Sequence, residues 1–301
     1  MYVMAPMTFS TKLLELASRY EIPIHFFHYY GFYVGSFHPN QNASGQSEIV
    51  IEQALTYRNE KRRLILAKEF LVGVQTNLLR NLARLERKSE FALSPTNKQS
   101  LDLLRSKVRA TADLGSLLGL EGKFRSIYYQ SMDEYLKMKH PAYQIVKRTR
   151  RPPQNRMNTL ISFLNSLLYV TIIEQLQFTP LHPGIPFLHS TRDHRQSLAL
   201  DISEVFKPVI VDRIILRLLS YRMLNESCFE MKGKGCFLTD TGKQIVIKAY
   251  TQTLNTSIFH RQKQRSLTYR QLIQHECSKL VEHFRGRQPY RSFRMWWSSC
   301  S

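Results

Sequence analysis

Hydrophobic residues change their spacing along this chain, and the change separates a short first part from a longer second part. Ser10 can cap a short helix, because apolar residues recur at helical spacing from there to Tyr20. Two runs rich in aromatic and β-branched residues follow, IPIHFFHYY and FYVGSF, and they predict two strands joined by a tight turn at Gly31. The polar stretch Pro39–Ser47 marks a boundary, so we predict an N-terminal β-rich portion over residues 1–47.

Residues 48–301 carry apolar residues three and four positions apart, the spacing of helices that bury one face. The pattern predicts a long amphipathic helix from about Thr56 to Leu85, and then a loop over Ser89–Ser100. Further helices are predicted around Leu101–Leu118, in a segment with Glu121 in its first turn, over Asn155–Leu176 and from Ser197 to Met223. The fold class is therefore α+β, with a short β-rich N-terminal portion followed by a larger all-α-helical domain.

The chain is strongly basic, with 43 Lys and Arg residues against 23 Asp and Glu residues and a formal net charge of +20. This excess favours a polyanionic partner, either nucleic acid or an anionic membrane. The most apolar helical run, Thr159–Ile173, is shorter than a bilayer span, so we predict no membrane partner. Met1–Met7 lacks the features of a signal peptide, and no two of the four cysteines form a CxxC pair; both observations favour a cytoplasmic location.

Candidate metal ligands occur in the stretch FLHSTRDHRQSLALDISE and upstream of it. His189 is predicted on a loop, and Asp201 and Glu204 share a face of the following helix. Glu121 is a further carboxylate candidate, and such oxygen-rich ligation with one imidazole suits Mg²⁺ or Mn²⁺. Pro208 cannot donate to the carbonyl of Glu204, so we expect a bend beside this residue.

The same residues allow a reading without a metal ion. A DxxE pair on a helix is commonly a solvated face, and Arg192 and Arg195 could instead be the ion-pair partners of these carboxylates. Long segments without acidic residues, such as 136–173 and 241–275, favour a surface that follows phosphates, although each alone could be a solvated face. The candidates for nucleic-acid contact are Arg62, Arg63, Arg80, Arg84, Lys147, Arg148, Arg150, Arg151, Asn158, Arg192 and Arg195.

Several motifs together resemble a known family. In chain order they are IPIHFFHYYGFYVGSFHP, LLGLEGKFRSIYY, RRPPQNRMNTLISFLNSLLY, FLHSTRDHRQSLALDISEVFKPVIVDR, HRQKQRSLTYRQLIQHE and YRSFRMWW. Their order and spacing resemble the CRISPR-associated integrase of spacer acquisition, the universal adaptation endonuclease, in its type I variants. The resemblance spans most of the chain, which makes it more specific than any single motif.

The resemblance implies a function and a site. The family has an N-terminal β-domain and a helical catalytic domain, and it binds Mg²⁺ or Mn²⁺ through residues that match Glu121, His189 and Glu204, with Asp201 as a further catalytic acid. The implied reaction inserts short double-stranded DNA fragments into a CRISPR repeat array by phosphodiester transfer, and cleavage of DNA is the same chemistry with water as the nucleophile. The implied partners are a second copy of the chain and a small second adaptation protein.

One departure from the family affects what we expect of assembly. Several strands normally precede the segment that matches TFSTKLLELASRYEIPIHFF, whereas only a few residues precede it here. We therefore expect an incomplete N-terminal portion and impaired dimerisation. The alternative function is a non-catalytic DNA-binding or assembly remnant that cannot dimerise. A third hypothesis, an unrelated basic regulator, predicts that the candidate ligands Glu121, His189, Asp201 and Glu204 lie far apart.

Overall fold

Three short strands and one helix form the N-terminal part of the computed structural model, which describes residues 1–39, 47–191, 196–260 and 263–295. The elements are β1 (Tyr2–Val3), α1 (Thr11–Arg19), β2 (Ile24–Phe27) and β3 (Tyr33–Phe37). The strand order is β1-β2-β3, with β1 parallel and β3 antiparallel to β2. The Ser10 side chain accepts from the N–H of Leu13, so the predicted cap of α1 is confirmed.

The tip of the β2–β3 hairpin packs against the helical part of the molecule. Gly31 has a φ of 84°, a conformation that favours glycine. A Cβ at this position would lie 2.5 Å from Cδ2 of Phe163, so the backbone approaches that ring too closely for any side chain. The hairpin is thereby fixed directly above the helix that carries Phe163.

Helices make up most of the remaining chain, and the predicted α+β class is confirmed. They are α2 (Ser47–Arg58), α3 (Glu60–Lys88), α4 (Pro95–Ala110), α5 (Leu114–Lys139), α6 (Arg156–Gln177), α7 (Ser197–Phe206), α8 (Asp212–Ser220), α9 (Asp240–Asn255) and α10 (Tyr269–Phe284). Two hairpins that the sequence reading missed interrupt this part, β4 (Phe229–Lys232) with β5 (Gly235–Leu238), and β6 (Ser257–His260) with β7 (Arg265–Thr268). The domain boundary at residue 47 stays a prediction.

Three predicted helix boundaries are wrong. The predicted start at about Thr56 lies inside α2, and α3 begins at Glu60 because Asn59 caps it. Helix α4 begins inside the predicted loop, because Ser94 caps it and Pro95 occupies its first turn. The predicted helix over Leu101–Leu118 is divided, because the Asp113 side chain accepts from the N–H of Ser116 and starts α5 at Leu114. Glu121 consequently lies about two turns inside α5 rather than in its first turn.

Helix α6 lies in the core. It covers the 22 residues Arg156–Gln177 and extends beyond the run Thr159–Ile173, so the whole helix is long and apolar enough to cross a membrane. However, 72% of its most apolar window is buried inside the protein, and Leu164, Leu167 and Leu168 are fully buried. Its hydrophobicity is thus explained by its packing against neighbouring elements.

The predicted bend at Pro208 is confirmed as a π-helical turn over Lys207–Val211, between α7 and α8. Such a turn leaves carbonyl groups without their usual partners. Two buried side chains of α3 supply donors: Asn77 Nδ2 donates to the carbonyl of Val205 at 3.0 Å, and Asn81 Nδ2 donates to that of Pro208 at 2.6 Å. Helix α3 therefore stabilises the turn that follows Glu204.

Candidate active site

The His189 loop is fixed by one buried carboxylate in the second turn of α7. Asp201 is fully buried, and it accepts the backbone N–H groups of Phe187 at 2.5 Å, Leu188 at 3.0 Å and His189 at 3.0 Å. Its Oδ1 also lies 2.7 Å from His189 Nδ1. Because Nδ1 faces Asp201, Nε2 is the ring nitrogen that can bind a ligand.

The protonation of His189 depends on the same contact. Burial lowers the pKa of His189, but the hydrogen bond and the negative charge of Asp201 outweigh burial, and the net shift of the pKa is upward. This arrangement holds the imidazole in one orientation. Asp201 itself has its oxygens occupied by three N–H groups and the imidazole, which fits a supporting acid rather than a direct metal ligand.

A second group of side chains joins α5 to α7. Arg125 lies one helical turn after Glu121, and its Nε donates to Glu121 Oε1 at 2.6 Å. Its Nη2 donates to Glu204 Oε2, and Lys207 Nζ donates to the other oxygen, Glu204 Oε1. One guanidinium thus binds both predicted carboxylates, Glu121 and Glu204, which are far apart in sequence.

The charges of this second group are strongly coupled because they are mostly buried. The exposed fractions of the Glu121, Arg125 and Glu204 side chains are 20%, 16% and 10%. Burial raises the pKa of Glu204, but Arg125 and Lys207 outweigh it and hold the pKa well below its usual range. Burial lowers the pKa of Arg125, but Glu204 and Glu121 outweigh it and raise the pKa above its usual value. Both groups therefore remain charged at neutral pH.

The donor set fits a hard divalent cation, since it offers two carboxylates and an imidazole. In the described part of the chain, however, no three His, Cys, Asp or Glu side chains are grouped as a metal-binding cluster. The oxygens of Glu204 are already bound by Arg125 and Lys207. Cations of the protein thus neutralise the carboxylates that a metal ion would use.

Two hypotheses from the sequence can now be compared with these contacts. The cationic partners of Glu204 are Arg125 and Lys207, while Arg192 and Arg195 lie outside the described residues. Glu204 and His189 line one cleft, and they are close enough that the charge of His189 lowers the pKa of Glu204. The candidate ligands are therefore not far apart, contrary to what an unrelated basic regulator predicts.

The cleft has a volume of about 1110 Å³ and lies between the β2–β3 hairpin and helices α6 and α7. His189, Glu204, Arg125 and Lys207 line one side of it, and Tyr30–Ser36 line another. Arg148, Arg150 and Arg151 also line the cleft. An anion that entered it would meet several guanidinium groups next to the histidine and the carboxylates.

The predicted nucleic-acid contacts on the segment 147–158 divide into exposed and structural residues. Lys147, Arg150 and Arg151 are exposed. Arg148 instead donates to Asn158 Oδ1 at 2.9 Å and to Ser162 Oγ at 3.2 Å. Asn158 is fully buried and donates to the carbonyl of Lys147 at 2.8 Å, so Asn158 and Arg148 shape the segment that presents the exposed residues.

The predicted contacts on α3 also have different positions. Arg63 Nε donates to the carbonyl of Phe187 at 3.0 Å and Nη2 donates to that of His189 at 2.7 Å, while the guanidinium lies 4.2 Å from the ring centroid of Tyr57. Arg62 pairs with Glu52 at the surface. Arg80 and Arg84 are half-buried further along α3 and do not belong to the described lining of the cleft.

Sequence reasoning missed the roles of Arg63, Arg125 and Lys207. A local signal existed for two of them, because Arg125 is four residues after Glu121 and Lys207 is three residues after Glu204, both on shared helix faces. No comparable signal connects Arg63 to the His189 loop, since 126 residues separate the two partners of that hydrogen bond.

A buried pair lies behind the cleft. The Tyr128 hydroxyl donates to Asp212 Oδ2 at 2.7 Å, and Asn81 Nδ2 lies 3.3 Å from the same hydroxyl. Burial raises the pKa of Asp212 to about 6, although the Tyr128 hydrogen bond and the charges of Arg125 and Lys207 oppose this shift. Ionisation of the Asp212 carboxyl group is therefore less favourable in the folded protein than in water.

Comparisons with known proteins agree with this architecture. The family described as "CRISPR associated protein Cas1" matches residues 1–252. The CRISPR-associated endonuclease Cas1 of Fusobacterium nucleatum is 37% identical over 298 residues, which are 98% of this chain and 86% of the relative. A solved structure of a Cas1 protein from Thermotoga maritima has a TM-score of 0.83 and 36% identity, and covers 97% of this chain and 88% of that one.

A more distant likeness concerns the fold alone. A chain of a Cas6-RT-Cas1–Cas2 complex has a TM-score of 0.82 at 19% identity, and covers 98% of this chain and 32% of that one. The match over residues 1–252 and the identity along nearly the whole length are much stronger. On these findings the chain belongs to the Cas1 family of CRISPR-associated proteins.

Proposed function

We propose that this protein is a divalent-metal-dependent DNA endonuclease and integrase that inserts new spacers into a CRISPR repeat array by phosphodiester transfer. The observation that carries the proposal is the cleft, in which His189 and Glu204 lie beside Arg150 and Arg151, with Glu121 joined to Glu204 through Arg125. Its family membership supports the proposal, because relatives such as that of Fusobacterium nucleatum are named endonucleases.

The proposed ligands of Mg²⁺ or Mn²⁺ are Glu121, Glu204 and His189 through Nε2. When bound, such an ion polarises the phosphoryl oxygens and activates the attacking water or 3′-hydroxyl. Asp201 keeps His189 in the orientation that presents Nε2, because it binds Nδ1 and the backbone of the loop. Arg150 and Arg151 are proposed to bind DNA phosphates at the entrance, where their charges follow the backbone without reading the sequence.

The proposed partners follow from the charge and from the family. Double-stranded DNA is the proposed substrate, both as spacer precursor and as repeat, and the net charge of +20 supports it. A small second adaptation protein is a further proposed partner, since a structure with the same fold is a complex that contains Cas1 and Cas2. Homodimerisation is proposed on the family resemblance, in the impaired form expected from the sequence, and a cytoplasmic location is proposed on the cysteine pattern.

A second candidate function is a non-catalytic DNA-binding or assembly protein. The occupation of both Glu204 oxygens by Arg125 and Lys207 favours it, because a site that never binds a metal ion needs such partners for its carboxylates. This protein would bind DNA in a salt-sensitive way and would show no turnover.

The two functions differ in a nicking and strand-transfer assay with Mn²⁺ or with EDTA. The proposed enzyme forms product only with the metal ion, and Glu121→Ala and His189→Ala abolish product formation. Glu52→Ala is the matched control, because Glu52 is a surface carboxylate whose partner is Arg62. Unchanged activity of the two site variants would overturn the site assignment. DNA binding by the wild type without turnover in Mn²⁺ would favour the second function.

A further inference from the structure

The guanidinium of Arg125 lies between the two carboxylates of the proposed metal site. It bonds Glu121 through Nε at 2.6 Å and Glu204 through Nη2, and its side chain is 16% exposed. We propose that Arg125 is a built-in competitor of the divalent ion: it holds Glu121 and Glu204 while the metal is absent and must release them when the metal binds. This inference rests on the proposed metal-dependent function.

Charge balance supports competition. Glu121 and Glu204 supply two negative charges, and Arg125 and Lys207 supply two positive charges, so this group is already neutral. A divalent ion bound to the same carboxylates would leave an excess of two positive charges in a mostly buried space. Such an excess is unfavourable where water screens poorly, so a resident cation must withdraw as the ion enters.

Arg125 is the cation that geometry requires to move. Lys207 is three residues after Glu204 and, among the described residues, bonds no other carboxylate, so it can stay beside its own helix turn. Arg125 instead bridges α5 and α7 and bonds a carboxylate of each helix. Its guanidinium therefore uses oxygens of both Glu121 and Glu204, the same pair that the metal ion would bring together.

The released guanidinium would remain in the cleft, because Arg125 is one of its lining residues, together with Tyr129 and Arg150. A DNA phosphate in the cleft would give the released guanidinium a new anionic partner. Metal ion and DNA then strengthen each other's binding. The ion frees Arg125 for a DNA phosphate, and a phosphate bound to Arg125 frees Glu121 and Glu204 for the ion. Without DNA, the affinity for the metal ion is kept low.

Direct measurement of Mn²⁺ binding tests the inference without using activity. Free Mn²⁺ is followed by electron paramagnetic resonance during titration of the full-length protein, without DNA. We expect Arg125→Met and Arg125→Gln to bind Mn²⁺ at least about tenfold more tightly than the wild type, because a neighbouring charge commonly changes the affinity of a site for a cation by this factor or more. Arg125→Lys keeps the positive charge, and is therefore expected to bind Mn²⁺ less tightly than either neutral variant.

Arg270→Met is the matched control. Arg270 forms a similar pair with the half-buried carboxylate of Glu174, at 2.6 Å, but it does not belong to the described lining of the cleft. This substitution is expected to leave Mn²⁺ affinity unchanged. Thermal unfolding of each variant establishes that the titrated protein is folded; should Arg125→Met be unfolded, Arg125→Gln and Arg125→Lys carry the same comparison.

The titration distinguishes failure of the Arg125 inference from failure of the proposed function. If the wild type binds Mn²⁺ and Glu204→Gln removes this binding, but neither neutral variant of Arg125 binds more tightly, the inference is overturned and the proposed function stands. If neither the wild type nor any Arg125 variant binds Mn²⁺, the proposed metal-dependent function is overturned together with the inference. Tight binding that appears only in the neutral Arg125 variants supports both.

Discussion

The candidate site has a histidine half and a carboxylate half, and the carboxylates of the two halves have different hydrogen-bond partners. Asp201, in the histidine half, is bound by backbone N–H groups of the Phe187–His189 segment and by the His189 imidazole. Glu121 and Glu204, in the carboxylate half, are bound by the side chains of Arg125 and Lys207. The histidine half therefore depends on the folded backbone, whereas the carboxylate half depends on side-chain cations that another cation can replace.

This difference assigns different tasks to acids that are only three residues apart. Backbone donors cannot leave Asp201 without unfolding the loop, so this residue acts as a structural anchor for the imidazole. Side-chain donors can rotate away from Glu204, so this carboxylate is available for exchange. A substitution in the histidine half should thus reduce both stability and activity, and one in the carboxylate half should reduce activity more than stability.

Glu204→Gln should reduce activity most. The amide keeps the volume of the side chain but lacks the charge that a metal ion requires, and Arg125 keeps Glu121 as a partner. We expect single-turnover cleavage in Mn²⁺ to fall by about a thousandfold, since a metal ion contributes several kcal/mol to transition-state stabilisation. Glu52→Gln is the surface control. Cleavage within about threefold of the wild type would show that Glu204 is not needed.

Asp201→Asn should reduce activity less and stability more. Asparagine has one carbonyl oxygen where the carboxylate has two acceptors, and its NH₂ group would face backbone N–H donors of the loop. We expect activity to fall about 10- to 100-fold and the free energy of unfolding to fall by about 3 kcal/mol. Denaturant unfolding measures the second quantity. A loss of stability no greater than that of Glu204→Gln would contradict the distinction between the halves.

Arg63→Met tests whether the histidine half depends on α3 as well. The two hydrogen bonds from Arg63 to the carbonyls of Phe187 and His189 disappear, so the loop is less well fixed. We expect activity to fall by about tenfold. Arg62→Met is a matched control, because the adjacent Arg62 pairs with the surface carboxylate of Glu52 instead of with the His189 loop. Equal effects of the two substitutions would indicate a general loss of DNA binding instead.

Asp212→Asn tests the electrostatics behind the carboxylate half. Burial raises the pKa of Asp212 from 3.8 to about 6, so between these values the folded state binds more protons than the unfolded state. The wild type therefore loses stability as pH rises from about 4 to about 6. Asparagine does not titrate, so the variant should avoid about 2 kcal/mol of this loss. Urea unfolding at pH 4.5 and at pH 7 measures it; parallel pH dependences would contradict the raised pKa.

Local signals account for what the sequence could predict. The helix starts predicted at Ser10 and at Asn155 coincide with side chains that cap α1 and α6 through contacts three residues apart. The missed boundaries at Ser94 and Asp113 involve the same chemistry, which the spacing of apolar residues alone does not reveal. The ligand roles of Glu121, His189 and Glu204 came from the family resemblance, because these residues lie on separate segments that no local spacing connects.

Long-range partners could not be predicted in this way. Arg125 and Glu204 are separated by 79 residues, and nothing in the spacing indicates that one guanidinium joins them. The same holds for Asn77 and Asn81, which stabilise the turn after Glu204 from α3. These contacts depend on how α3, α5 and α7 pack, which local patterns of hydrophobic residues do not specify.

Anomalous diffraction from crystals soaked in Mn²⁺ would locate the ion and its ligands directly. We expect one strong anomalous peak bound by Glu121, His189 Nε2 and Glu204, with the guanidinium of Arg125 withdrawn from both carboxylates. The Asp201 contacts to the loop should be unchanged, since backbone donors hold them. Crystals that show no peak in this cleft, with Arg125 still bound to Glu121 and Glu204, would contradict both the metal site and the exchange.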